Sequence, residues 1–199
     1  MHNKLVICTI CEDENLKYNT MKNILVLALV VLSLVGCKKE VDELPEPTQT
    51  GANTFGAKVN GDFWVPQGFG IVPTAPIIEA RYAGGNSVFI NARNFASSPT
   101  ETEFEIYLQN ITGPGTILLN QNTSNYPSQS ASYGYYVKRK VRPLFEYITS
   151  AQHTGRVEVT KFDTEHHIIS GTFEFGGADK TDPTQTVSVT EGRFDVKIQ

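Results

Sequence analysis

Phe55-Gly56-Ala57-Lys58-Val59-Asn60-Gly61-Asp62-Phe63-Trp64 is the stretch that decides the fold. Phe55, Ala57 and Val59 alternate with Gly56 and Lys58, the period of two that sends one set of side chains to one face of a strand. Asn60-Gly61 then supplies the residue pair that most readily takes the left-handed backbone of a tight hairpin turn. A two-residue turn fixes the register, with Val59 opposite Asp62 and Ala57 opposite Trp64. The single tryptophan therefore lies over a small alanine, on the face shared with Phe55 and Val59. That makes it a core anchor before it is a ligand platform.

The same period recurs downstream. Ile78, Ala80 and Tyr82 alternate, Gly84-Gly85-Asn86 turns the chain, and Val88, Ile90 and Ala92 share the next face. Phe104, Ile106 and Leu108 form an apolar face with Glu103, Glu105 and Tyr107 opposite, the pattern of a sheet with one side in water. Gly113-Pro114-Gly115 breaks the chain before Thr116 to Leu119, Asn120 to Ser132 reads as a long polar loop, and Tyr133 to Val137 re-enters the sheet. Val157 and Val159 lead through Asp163-Thr164-Glu165-His166-His167 to Ile169, Phe173 and Phe175. Val187 and Val189 have odd parity, whereas Phe194, Val196 and Ile198 have even parity; a bulge at Glu191-Gly192 reconciles them. The expectation is all-β: an antiparallel β-sandwich or barrel of about 8–10 strands with little helix, Pro143 to Ala151 being the one short helix.

Composition agrees. Gly 16, Pro 10, Tyr 8 and Phe 11 against Met 2 favour turns and aromatic strands over a helical bundle. Lys+Arg 17 against Asp+Glu 21 gives a net charge of -4, so nothing in the charge balance predicts a nucleic-acid binder. The hydrophobic fraction of 40% is enough for a core and argues against disorder. No internal repeat divides the stretch 53–199, which reads as a single β-rich domain.

The residues before it read as an address. Lys22 precedes Ile24 to Val35, an apolar run interrupted only by Ser33. It is too short for a membrane span of about 20 residues and suits the apolar part of a secretory signal. The run ends in Leu34-Val35-Gly36-Cys37, which resembles the lipobox of bacterial lipoproteins. The resemblance implies cleavage before Cys37, a signal peptide over 21–36, and a diacylated Cys37 thiol anchoring the chain in a membrane. Each buried methylene contributes about 0.8 kcal/mol to such an anchor. Residues 1–20 carry Glu12, Asp13 and Glu14 where a signal should be basic, so Met21 is the expected start and 1–20 an upstream extension. Cys8 and Cys11 have the two-residue spacing of zinc and redox motifs, but no second pair follows. The stretch 37–52 is charged and proline-bearing, a flexible linker. Its Lys38-Lys39 followed by acidic residues resembles the surface-export signal of Bacteroidetes lipoproteins, and an ordinary charged tether explains it as well.

A further resemblance covers most of the mature chain. Ala57-Lys58-Val59-Asn60-Gly61 running into Phe63-Trp64, Gly155 to Phe162, Ser170-Gly171-Thr172-Phe173 and Thr190-Glu191-Gly192-Arg193-Phe194 are similar to uncharacterised Bacteroidetes lipoproteins carrying a domain of unknown function. These are turn and core residues, so the resemblance implies a location and a fold and brings no activity with it.

For chemistry, the sequence has no Gly-x-Ser-x-Gly elbow, His-Glu-x-x-His pair or Walker loop. Gly68-Phe69-Gly70 and Gly113-Pro114-Gly115 read as turns, with no helix behind them to hold a phosphate. Asp163, Glu165, His166, His167 and His153 are the densest titratable group, open to a metal reading or to that of a solvated hairpin tip. Asp179 and Asp182 could offer carboxylates to Ca²⁺, or close a turn. The sharpest signal is Tyr133, Tyr135 and Tyr136 running into Lys138, Arg139, Lys140 and Arg142. Flat rings beside guanidinium groups suit an anionic glycan or lipopolysaccharide headgroup; the alternative is an edge strand protected by charge. The function expected is that of a lipid-anchored cell-envelope β-domain, at the outer membrane with its face open, that binds a glycan, lipopolysaccharide or envelope protein or is structural. No cofactor is expected. The competing expectation is an envelope-polymer hydrolase or metal-dependent enzyme whose site is assembled only in the fold.

Overall fold

The structure, a computed structural model, describes residues 41–68, 76–96, 101–123, 129–139 and 144–199. The upstream extension, the signal, Cys37, Lys140 and Arg142 lie outside the described residues. Eleven strands follow in chain order: β1 (Thr54–Val59), β2 (Asp62–Trp64), β3 (Ile78–Tyr82), β4 (Val88–Asn94), β5 (Glu101–Leu108), β6 (Gly115–Leu119), β7 (Tyr133–Arg139), β8 (Phe145–Ile148), β9 (Gly155–Asp163), β10 (Ile168–Asp179) and β11 (Thr186–Lys197). No helix occurs among the described residues.

The strands form one antiparallel sheet in the order β2-β1-β11-β10-β8-β7-β5-β4-β3, with β9 and β6 branching from β10. The fork arises because β10 is long: Ile168 to Phe175 pairs with β9, and Ala178–Asp179 pairs with β8. The sheet curls until its far edge returns, where Ala80 of β3 forms a parallel bridge to Ile198 and Gln199 N donates to Ala80 O at 2.8 Å. The described residues are all-β, as expected, and their single curled antiparallel sheet is consistent with the expected sandwich or barrel.

Local chemistry sets the registers. Asn60 and Gly61 take φ of 52° and 93°, and Ala57 pairs with Trp64 and Val59 with Asp62. The bulge falls where the parity change demanded it: both neighbours of β11 shift register there, between Gly56 and Lys58 and between Phe173 and Phe175, and Glu191 has φ 52°. Phe104 is the hub of the core, with ring centroids 4.6 Å from Trp64, 4.8 Å from Tyr136 and 5.5 Å from Phe55.

Three expectations are corrected. Phe145–Ile148 is strand β8, not helix; Phe145 and Tyr147 alternate with Glu146, and Tyr147 stacks on Tyr136 at 6.2 Å. The second face of β5 is not in water. Tyr107 and Glu105 are buried there, Tyr107 in a second cluster with Phe89, Tyr133, Tyr135 and Val137. The eleven strands exceed the expected 8–10 because Phe145–Ile148 adds β8 to the strands read from the pattern.

The end of the expected linker is also docked. Pro45 packs where a side chain on Gly56 would stand, a Cβ there falling 2.7 Å from Pro45 Cδ. Arg193 Nη1 donates to Pro45 O at 3.4 Å, and Lys161 Nζ to Gln49 O at 3.0 Å. Asp195 then gathers the strap: Thr48 Oγ1 (2.6 Å), Thr50 N (3.0 Å), Gly51 N (2.8 Å) and Ala52 N (3.1 Å) all donate to its carboxylate, as does Ser170 Oγ (2.7 Å) from β10. Residues 44–52 therefore form a strap on the outer side of β1 and β11.

Candidate functional site

Three regions hold the polar chemistry of the described residues. The first is the outer face of β3, β4, β5, β7 and β8. Pairing aligns Arg81, Phe89, Tyr107 and Tyr133 in one cross-strand row. The Arg81 guanidinium lies 4.5 Å from the Phe89 ring, which stands 4.6 Å from Tyr107, itself 5.6 Å from Tyr133. The next row contains Asn91, Glu105 and Tyr135. Glu105, only 4% exposed, accepts from Tyr133 Oη at 2.5 Å and from Asn91 Nδ2 at 2.8 Å. A buried carboxylate is tolerated because both oxygens have donors. Below it, Glu103 meets Arg139 Nη2 at 2.9 Å and Arg93 Nε at 3.4 Å.

This geometry relocates the residues singled out for ligand binding. Tyr133, Tyr135 and Tyr136 all belong to β7 but do not form a surface platform, because β7 is an interior strand buried on both faces. Tyr136 points to the core; burial pushes its phenol up to about 12, with the Thr102 hydrogen bond opposing and Tyr147 adding. Tyr135 Oη donates to Glu146 Oε1 at 2.7 Å. Arg139 is committed to Glu103 and, at 3.8 Å, to Glu101. Burial pulls its guanidinium down, but those carboxylates outweigh it and the net direction is upward. Lys138 is exposed. The tyrosine-then-basic pattern could not reveal this, since burial of β7 depends on side chains that other strands bring against its two faces. The Glu105–Tyr133–Asn91 network was missed for the same reason: it joins three strands.

The second region is an open cleft of about 530 Å³ where β3 meets the end of β11. Ile78 and Ile198 contribute apolar surface, and Asn53, His166, His167 and Lys197 contribute polar groups. The histidines are on the β9–β10 turn, as expected. His166 Nδ1 lies 3.0 Å from Asp163 Oδ2, and His167 Nδ1 is 3.5 Å from Tyr82 Oη. The Asp163 carboxyl is held below its ordinary value, first by the His166 backbone N–H, against some burial, and then by the His166 ring and Lys161. His153 is placed elsewhere, its carbonyl accepting from Ser150 N. Among the described residues no group of three or more His, Cys, Asp or Glu could hold a metal ion. Asp179 and Asp182 close turns: Asp179 accepts from Glu146, Thr181 and Asp182 N–H groups, and Asp182 from Thr184.

The third region is the Asp195 clasp. Burial raises its carboxyl, but hydrogen bonds from Thr48, Ser170, Ala52 and Gly51 outweigh this and hold it far below the ordinary carboxylate range. It is a structural anion with its acceptors occupied.

Together these features define a small all-β domain: a curled antiparallel sheet, a polar network on its outer face, and a strap clasped at its N-terminal end. Residues 52–196 match the family described as a domain of unknown function, DUF6252, and the chain belongs to that family. No curated protein and no solved structure matches it.

Proposed function

We propose that this chain is a lipid-anchored domain of a Gram-negative cell envelope, held at the outer membrane through Cys37, with a binding or structural role. The observation that carries the reading is the junction of sequence and fold: Leu34-Val35-Gly36-Cys37 closes an apolar run, and seven residues later the chain enters a strap fixed to the domain by Asp195. A lipid chain at Cys37 and a strap at Leu44 make a mechanical link between membrane and sheet. The test is metabolic labelling with radioactive palmitate of cells expressing the full chain and Cys37→Ser. Label and membrane retention in the parent, with both lost in the variant, support the reading; equal label and retention in both refute it.

For binding, the partner class is an anionic glycan, a lipopolysaccharide headgroup or an envelope protein. Exposed Lys138, followed in sequence by Lys140 and Arg142, supplies the cations, and the tyrosines act only by fixing β7. A thermal-shift screen with sulfated glycans and lipopolysaccharide tests this, because a ligand at 100 times its Kd adds about 2.7 kcal/mol. A rise in Tm that Lys138→Ala removes supports the site; an undiminished rise moves it elsewhere. A second reading, hydrolysis of an envelope polymer, draws on Glu103 and Glu105, two carboxylates on one face of β5 sharing the Asn91 amide at 3.4 and 2.8 Å. Release of reducing ends from envelope glycans, lost in Glu105→Gln, would favour it.

A further inference from the structure

We propose that β6 is a pairing edge and that its partner is β6 of a second copy of this chain. The inference does not depend on the reading of Cys37. The sheet ends in β2, in β3 and, on the branch, in β6. β2 is only 3 residues long and carries Asp62. β3 carries Glu79 and Arg81 and is closed at Ala80 by the bridge to Ile198. Shortness, charge and cover are the usual protections of an exposed edge. β6 is different. Gly115-Thr116-Ile117-Leu118-Leu119 holds no charged residue, and among the described residues it pairs with β9 alone.

The registers identify the backbone groups that β6 has left over. Gly176 N donates to Thr154 O at 2.9 Å, one step beyond the pair of Gly155 with Phe175. Antiparallel pairs alternate between hydrogen-bonded and non-hydrogen-bonded. The even residues of β9 therefore bond β10, and Gly155, Val157 and Val159 turn their N–H and C=O groups to β6. These face Leu119, Ile117 and Gly115. What remains is the N–H and C=O of Thr116 and of Leu118, directed away from the sheet. Their side chains stand on the outer face. Leu118 is 58% exposed there, the most of any large apolar side chain among the described residues. Ile117 and Leu119 pack with the core.

This arrangement is complementary to itself. With two β6 strands antiparallel about a two-fold axis at Ile117, Thr116 of each copy faces Leu118 of the other. Such a pair exchanges both N–H···O bonds, so every outward group on both strands finds a partner. Each Leu118 also approaches its counterpart across the diagonal. Other registers lose something. One centred on Thr116 brings in Pro114, which has no N–H to give. One centred on Leu118 brings in Asn120, past the end of the strand. A shift by one residue sets outward groups against groups already bonded to β9. The lack of charge points to a second copy as well. A two-fold axis brings any charge on the strand near its own duplicate, and like charges across a strand pair are destabilising. A contact this small makes a weak dimer, in the class of transient interfaces.

The experiment co-expresses two full-length chains, Thr116→Cys and Leu118→Cys, carrying different tags, and oxidises the cells with copper phenanthroline. Facing residues of a hydrogen-bonded pair have Cα atoms about 5.5 Å apart, within the reach of a disulfide. Once the parent chain's own disulfides are subtracted, the mixed pair should crosslink about five-fold more than either variant with itself. No mixed disulfide above the parent level, or equal yields in all combinations, overturns the pairing. Leu118→Pro, added to the Thr116→Cys chain, removes an outward N–H and leaves the ladder with β9 complete. It should lower the mixed crosslink about five-fold, the worth of about one hydrogen bond, with the strand signal in circular dichroism unchanged. Leu118→Lys in the same chain keeps the backbone intact, places a charge on the edge and should lower it too. A crosslink undiminished by either substitution overturns this edge as the contact.

Discussion

Asp195→Asn is the substitution that most directly probes how the strap is held. The carboxylate takes five hydrogen bonds shorter than 3.2 Å. Those from Thr48, Thr50 and Ala52 are partly exposed, so water replaces much of what they lose. Those from Gly51 N and Ser170 Oγ are buried. A hydrogen bond to a charged group contributes about 1.5–3 kcal/mol, so the two buried ones set a loss of about 3–6 kcal/mol, and the amide oxygen of asparagine recovers part of it. The expected net loss is about 3 kcal/mol. For a domain of this size each kcal/mol shifts Tm by about 2–4 °C, so Tm should fall by about 6–12 °C. The pH dependence gives a second, independent readout. A carboxyl held low in the native state adds stability that is complete above the unfolded value of about 3.9 and disappears as pH falls below it toward the native value. The stability difference between parent and variant should therefore be full at neutral pH and narrow below about pH 4. Urea unfolding at a series of pH values, followed by Trp64 fluorescence, measures both. A variant within about 0.5 kcal/mol of the parent at pH 7, the range of ordinary surface changes, would refute the clasp as a stabilising element. So would a difference that does not change with acid.

Gly56→Ala should lift the strap by another route, since its new Cβ meets Pro45; we expect faster proteolysis between residues 41 and 52, with the acid dependence due to Asp195 reduced but present. Phe104→Ala removes the ring at the centre of the core and should cost about 3–5 kcal/mol in chemical denaturation. Tyr133→Phe leaves one Glu105 oxygen without its donor and should cost about 1–3 kcal/mol, while the double variant with Glu105→Gln should cost less than the sum of the singles. Tyr136, raised by burial to about 12, favours the fold while neutral; that stability should be lost as pH rises from about 10 toward 12, and Tyr136→Phe should flatten this alkaline limb in circular dichroism.

Strand identity was legible where the local code was complete. Asn60-Gly61 fixed the first hairpin because a two-residue turn leaves no freedom in the pairing, and the change of parity between Val189 and Phe194 located a bulge because a strand can swap faces only by inserting a residue. Phe145–Ile148 was misread because a short segment after Pro143 is ambiguous until its partners are known, and these are β7 and β10. The tyrosines of β7 looked like a binding platform for a related reason. They are packed with side chains from other strands, Tyr136 in the main core and Tyr133 and Tyr135 in the cluster with Phe89 and Tyr107, which no local pattern records. The strap was hidden more deeply. Thr48, Thr50 and Gly51 resemble any polar linker, and what distinguishes them is a carboxylate more than 140 residues away in sequence.

That separation has a consequence for the order in which the domain can assemble. β1 has β11 as its long-range partner, and the strap has Asp195, so the first elements of the domain wait for its last strand. Contacts between such distant residues must overcome the entropy of closing the intervening chain before they stabilise anything, which makes the fold slow to complete. A chain made from its N-terminus holds β1 unpaired on one edge until Thr186–Lys197 has emerged. The strap then closes last, as a latch on a finished sheet.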